Sequence, residues 1–158
     1  MYTLKRGFMA VALALLFSAC HHQAAQPPYK GYKMAPYTLK GLRFVPMNVE
    51  QALRYDAVGI ASHYEANGAV GAIGQPLYRG QLYAAHRTLP LPCVARVTNL
   101  ENGLSCTLRI ADRGPYIAGR LIDVSTAVAH RLRFHHNGLA RVRIQVLSVG
   151  DGPYKRTR

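Results

Sequence analysis

From Val58 onward the chain is cut into six short runs, apolar or alternating, with turn-forming residues between them: Val58 to Tyr64, Leu82 to Ala85, Cys93 to Asn99, Ser105 to Ala111, Leu121 to Val124 and Ala140 to Ser148. This spacing predicts the strands of an all-β domain arranged as a small barrel. Arg141-Val142-Arg143-Ile144-Gln145-Val146 alternates most cleanly, which turns Val142, Ile144 and Val146 inward and the arginines outward in a late strand that closes the sheet. Cys93 to Thr98 and Ser105 to Ile110 alternate in part around a turn near Glu101-Asn102-Gly103, the pattern of a hairpin. One helix is expected over Ser125 to Arg133, capped by Ser125 or Thr126, with Val128 and Leu132 at helical spacing. In the hairpin register Cys106 should lie opposite residue 95 or 96 rather than Cys93, so both read as buried free thiols unless a bulge shifts the pairing.

The N-terminus has the order of an export signal: Lys5 and Arg6, an apolar run from Phe8 to Phe17, then Ser18-Ala19 before Cys20. An apolar run of about ten residues falls short of the roughly 20 needed to span a membrane, so residues 1–20 read as a cleaved export signal rather than a permanent span. Phe17-Ser18-Ala19-Cys20 resembles a bacterial lipobox, which implies acylation of Cys20 and a lipid anchor in the cell envelope facing the periplasm. His21, where an aspartate would signal inner-membrane retention, favours the outer membrane. Residues 21–56 are rich in Pro, Gly, Gln, Tyr and Lys, and read as a largely extended flexible tether; the alternative is that Tyr37 to Val45 docks as an extra strand. The compact domain is then 57–148, large enough for one core, and 149–158 forms a basic tail.

Lys and Arg number 20 against 7 acids, a formal charge of +13, so the surface seeks polyanions. No zinc-finger spacing, aromatic-basic RNA signature or basic helix is present, and an exported chain meets lipid headgroups and wall polymers, so nucleic acid is not expected. The pairs His21-His22 and His135-His136 lack metal-ligand spacing, and neither a metal nor a cofactor is expected. A monomer is expected.

The chemistry points to Ile110-Ala111-Asp112-Arg113-Gly114-Pro115-Tyr116, where a carboxylate ends an apolar strand directly before a turn. A sheet behind it would hold the backbone still while the side chain meets solvent, which suits a general acid or base. The plainer alternative is that Asp112 caps the turn or pairs with Arg113.

Five ordered motifs carry a resemblance: Gly59-Ile60-Ala61-Ser62-His63-Tyr64, Ala84-Ala85-His86-Arg87-Thr88-Leu89-Pro90, Arg96-Val97-Thr98-Asn99-Leu100-Glu101-Asn102-Gly103, Asp112-Arg113-Gly114-Pro115-Tyr116 and Gly119-Arg120-Leu121-Ile122-Asp123-Val124-Ser125. Together they resemble the rare lipoprotein A family. The resemblance implies a six-stranded double-psi β-barrel with one or two short helices. It also implies a lyase-type lytic transglycosylase active on peptide-poor peptidoglycan glycan strands, with a role in cell wall organisation. Such enzymes cleave the bond from N-acetylmuramic acid to N-acetylglucosamine without water and leave a 1,6-anhydro end. The family's longer members add a C-terminal glycan-binding repeat domain, which is not expected here because the sequence ends at Arg158.

The family pattern sets a glutamate eleven residues before the histidine of Ala-Ala-His and an aspartate in Asp-Arg-Gly-Pro. The aspartate is Asp112, the acid and base or a stabiliser, and the histidine is His86, which would orient it. The glutamate position falls on Gln75, whose carboxamide has no titratable proton to give. Two neighbours also depart: His63 replaces a Trp, and Glu65 replaces a Gly and is a possible substitute acid. Tyr64 and Tyr116 are candidates to stack on sugar rings, and Arg113 and Arg120 to hold carboxylates, against the plainer readings of packing and of pairing with Asp112 and Asp123. Because of Gln75, a glycan-binding lipoprotein without catalysis is the alternative function.

Overall fold

The computed structural model describes residues 31–158; the expected signal, Cys20 and His21-His22 lie outside the described residues. The order is β1 (Tyr37–Leu39), β2 (Leu42–Phe44), α1 (Val49–Leu53), β3 (Asp56–Tyr64), β4 (Tyr83–Ala85), β5 (Cys93–Asn99), β6 (Ser105–Asp112), β7 (Arg120–Ser125), α2 (Thr126–Arg131), β8 (Leu139–Val149) and β9 (Arg156–Thr157). Strands β3, β7, β4, β6, β5 and β8 are hydrogen-bonded in that sequence, and β8 returns to β3, which closes a six-stranded double-psi β-barrel. The pairs β3/β7 and β4/β6 are parallel and the other four antiparallel. Each of the six expected runs forms one strand.

Alternation decides which side chains meet inside. Val142, Ile144 and Val146 of β8 are fully buried and pair with Asn99, Val97 and Ala95 of β5, while Arg141 and Arg143 stay outside. Ile110, Ile122, Val124 and Ala61 complete the layer. Each such valine or isoleucine contributes about 1.5–3 kcal/mol on leaving water.

The hairpin closes more tightly than the sequence suggests. Asn99 N–H donates to Leu104 O at 2.9 Å, and Gly103, at φ +73°, makes the left-handed turn, so Cys106 pairs with Val97 rather than with residue 95 or 96. Cys93 pairs with Ile110, and both cysteines are free buried thiols; burial pushes the Cys93 thiol up to about 12. Helix α2 starts at the Ser125 cap, whose hydroxyl accepts from Val128 N–H. It ends before the expected Arg133, which turns to φ +57°.

Residues 31–55, read in the sequence as tether or docked strand, carry ordered structure against the barrel. Lys40 and Gly41, both at positive φ, turn β1 back on β2. Tyr37 stacks on Phe44, and Phe44 meets the edge of Tyr116. Helix α1 begins with a reciprocal cap between Asn48 and Gln51.

Candidate active site at the end of strand β6

Strand β6 buries Cys106, Leu108 and Ile110 at every second position, which would send Asp112 inward as well. It does not go there, because the pairing with β4 slips by one residue: Ala84 faces Ile110 but Ala85 faces Asp112. The extra residue, Ala111, takes the buried place, and the bulge re-aims Asp112 to the rim, where it is half-buried.

Three donors then fix the carboxylate. Oδ1 accepts from Ala72 N–H at 2.9 Å and Arg113 N–H at 2.8 Å, and Oδ2 accepts the longer bond from the Tyr64 hydroxyl at 3.2 Å. Burial first, and the Asp112 charge second, push the Tyr64 phenol far up, so it stays a protonated donor. The amide of Ala72 reaches Asp112 because Gly71 sits against β6: a Cβ there would lie 3.1 Å from Ala111 O and 2.9 Å from Leu77 Cδ1. Nothing in the sequence marks Ala72 as part of a site.

Arg113 does not pair with the carboxylate beside it. Its guanidinium donates to the carbonyls of His86 at 3.2 Å, Leu89 at 2.5 Å and Lys33 at 3.0 Å, with Tyr37 below it at 5.4 Å. It therefore clamps the loop after β4 and the N-terminal strap of residues 31–47 to the loop after β6. His86 likewise turns away from Asp112. Nδ1 accepts from Thr88 N–H and Leu89 N–H, so the proton sits on Nε2, 3.1 Å from the Tyr55 hydroxyl. Only the backbone links it to the acid, His86 N–H donating to Asp112 O at 3.1 Å. The ring's hydrogen bonds run to Thr88 and Leu89 within the loop and to Tyr55 just before β3, so the imidazole braces the loop after β4 and makes no side-chain hydrogen bond to Asp112. Burial, aided by Arg87 and Arg113, brings the imidazole down to about 3.

Gln75 lies half-buried in the same loop as Ala72, its carbonyl accepting from Gly71 N–H at 2.9 Å. Glu65 is exposed and reaches the Tyr83 hydroxyl at 3.5 Å; Tyr83 in turn accepts from Ala66 N–H and meets the edge of Tyr64. The two tyrosines thus join Glu65 to Asp112. Tyr116 is 42% exposed at the mouth, beside Phe44. Arg120 donates to the Ser62 hydroxyl at 2.9 Å and lies 3.7 Å from Asp123, which accepts from Ser62, so this arginine is engaged along β3 and β7. His63 packs against Phe134 and His135, and His135 stacks on His130 at 3.9 Å. Among the described residues no group of three or more His, Cys, Asp or Glu is placed to hold a metal ion.

A barrel with an acid on its rim matches known proteins in both sequence and shape. Residues 56–144 match the family described as lytic transglycolase. The chain belongs to that family. Relatives named endolytic peptidoglycan transglycosylase RlpA include those of Pseudomonas aeruginosa (strain UCBPP-PA14), 42% identical over 125 residues, Campylobacter jejuni, 37% over 131, and Rickettsia bellii, 40% over 126. The matches take in 77%, 80% and 75% of this chain but 36%, 47% and 54% of those relatives, so the chain spans about a third to a half of their length. In shape, an expansin of Clavibacter michiganensis solved with cellohexaose has a TM-score of 0.50 at 15% identity, covering 63% of this chain and 54% of that one. Streptomyces papain inhibitor has the same TM-score at 21% identity, covering 58% and 94%. These two likenesses concern the fold.

Proposed function

We propose that this protein is a peptidoglycan lytic transglycosylase that uses Asp112 as both acid and base. The supporting observation is the carboxylate re-aimed to the rim by the Ala111 bulge and fixed by two amides and one phenol, in a chain whose relatives carry that activity in their names. The reaction asks for a proton on the glycosidic oxygen as the bond to the anomeric carbon breaks, then a base for the 6-hydroxyl of the same muramic residue. As that hydroxyl oxygen bonds to the anomeric carbon, its proton returns to the carboxylate, no water is consumed, and the enzyme is restored. Oδ2, with the longer bond, is the oxygen better placed to exchange the proton, while Oδ1 is held by its two amides. Gln75 would hydrogen-bond to sugar in place of the family acid, and Tyr116 would stack on a ring at the mouth. Glu65, linked to Asp112 through Tyr83 and Tyr64, is the second carboxylate to support the oxocarbenium-like transition state. Arg113 would act through the loops it braces, and Arg120 through Ser62 of β3 and Asp123 of β7.

In the cell, the reading places the domain in the envelope, anchored through an acylated Cys20 and facing the periplasm at the outer membrane. The purified protein, incubated with peptide-stripped glycan strands, is expected to release anhydro-ended fragments seen by mass spectrometry. Asp112→Asn should lower their formation by about 10²–10⁴-fold; equal product from the variant would remove Asp112 from the chemistry.

A further inference from the structure

Lys33 precedes the β1/β2 hairpin and lies outside the residues matched to the family, yet its contacts converge on the site. Its N–H donates to Leu91 O at 2.7 Å, and its carbonyl accepts from Leu91 N–H at 3.3 Å and from Arg113 Nη2 at 3.0 Å. Its ammonium donates to Ala72 O at 2.6 Å. Two of the three partners bond the acid directly. Ala72 and Arg113 supply the two amides on Asp112 Oδ1, and Leu91 follows the loop whose His86 and Leu89 carbonyls hold the Arg113 guanidinium.

The backbone bonds alone would tie the strap to the barrel, so the ammonium has a separate task. The loop at 71–75 meets the end of β6 through Ile73 N–H to Ala111 O at 3.3 Å and through the Ala72 amide; its other bonds are internal, Gly71 N–H to Gln75 O and Gly74 N–H to Gly71 O. A charge-assisted bond from the Lys33 ammonium to the Ala72 carbonyl adds a further hold on this loop. We propose that Lys33 is a positioning residue: its ammonium holds the loop that presents the Ala72 amide to Asp112 and carries Gln75. The inference rests on the reading of Asp112 as acid and base, and its test separates the two.

Lys33→Met keeps the stem and backbone bonds and removes the charge, while Lys33→Arg keeps a cationic donor. In the purified protein, Lys33→Met should lower kcat on peptide-stripped strands about tenfold with KM and melting temperature little changed. The Ala72 amide proton, followed by NMR across a pH series, should move upfield and exchange faster. Lys33→Arg should recover both. An Ala72 resonance and a cleavage rate in Lys33→Met equal to those of the unmodified protein would overturn the proposal. If the unmodified protein cuts no strands, the reading of Asp112 fails by itself, and the Ala72 resonance still decides: displaced in Lys33→Met it supports the hold, unmoved it refutes it.

Discussion

His86 should make this fold acid-sensitive in a window where most carboxylates are still ionised. In the folded protein its ring is buried, accepts two backbone N–H groups at Nδ1 and is brought down to about 3; unfolded, it returns to its ordinary value of 6.5. The folded value is the depressed one. The neutral ring therefore stabilises the fold fully above pH 6.5, and that stability is lost as pH falls from there toward 3, because the unfolded chain takes up a proton the native state refuses. Between pH 8 and pH 5 the loss from this one group is about 2 kcal/mol, from the two values and 1.36 kcal/mol per unit. Urea unfolding at both pH values reads it directly, with His86→Gln as the control that lacks the titration. The variant should be less stable at pH 8 by roughly 1–3 kcal/mol, since the Thr88 and Leu89 amides lose their acceptor. It should also lose about 2 kcal/mol less than the unmodified protein on going to pH 5. Equal losses in the two proteins would refute the assignment of a buried neutral imidazole.

Other perturbations probe the site itself. Tyr64→Phe removes the donor 3.2 Å from Asp112 Oδ2; cleavage kinetics should show kcat down about tenfold with KM little changed, at a stability cost of about 1 kcal/mol in urea unfolding. Gln75→Glu restores a titratable group in the half-buried loop beside the acid and should raise the cleavage rate by about tenfold or more. Gly71→Ala would set a Cβ 3.1 Å from Ala111 O, which should cost about 1–3 kcal/mol in urea unfolding and slow cleavage by displacing the Ala72 amide.

The barrel was legible because its strands alternate: with one face packed inside, Val142, Ile144 and Val146 could face only one way, and Ser125 announced the start of α2. Asp112 was legible as an acid at a strand end, but not the bulge that turns it outward. The trace was there, since the consecutive apolar pair Ile110-Ala111 breaks the alternation of Cys106, Leu108 and Ile110. The strap at residues 31–47 was ambiguous for a different reason. Its two strands of three residues gain their hold from partners distant in sequence, Tyr37 under Arg113 and Phe44 against Tyr116, which no local pattern encodes. Helix α1 did have a local mark, the Asn48 and Gln51 capping box. The roles of Arg113 and His86 depend on which carbonyls and amides the loops bring to them, and chain order alone does not say.

On the proposed mechanism, Asp112 serves an internal displacement by the muramic 6-hydroxyl, without water. Digestion of peptide-stripped strands in oxygen-18 water, followed by mass spectrometry of the new ends, tests it most directly. The new ends should be anhydro ends free of oxygen-18, absent in Asp112→Asn. New ends carrying oxygen-18, or strands that are bound and left whole, would contradict it.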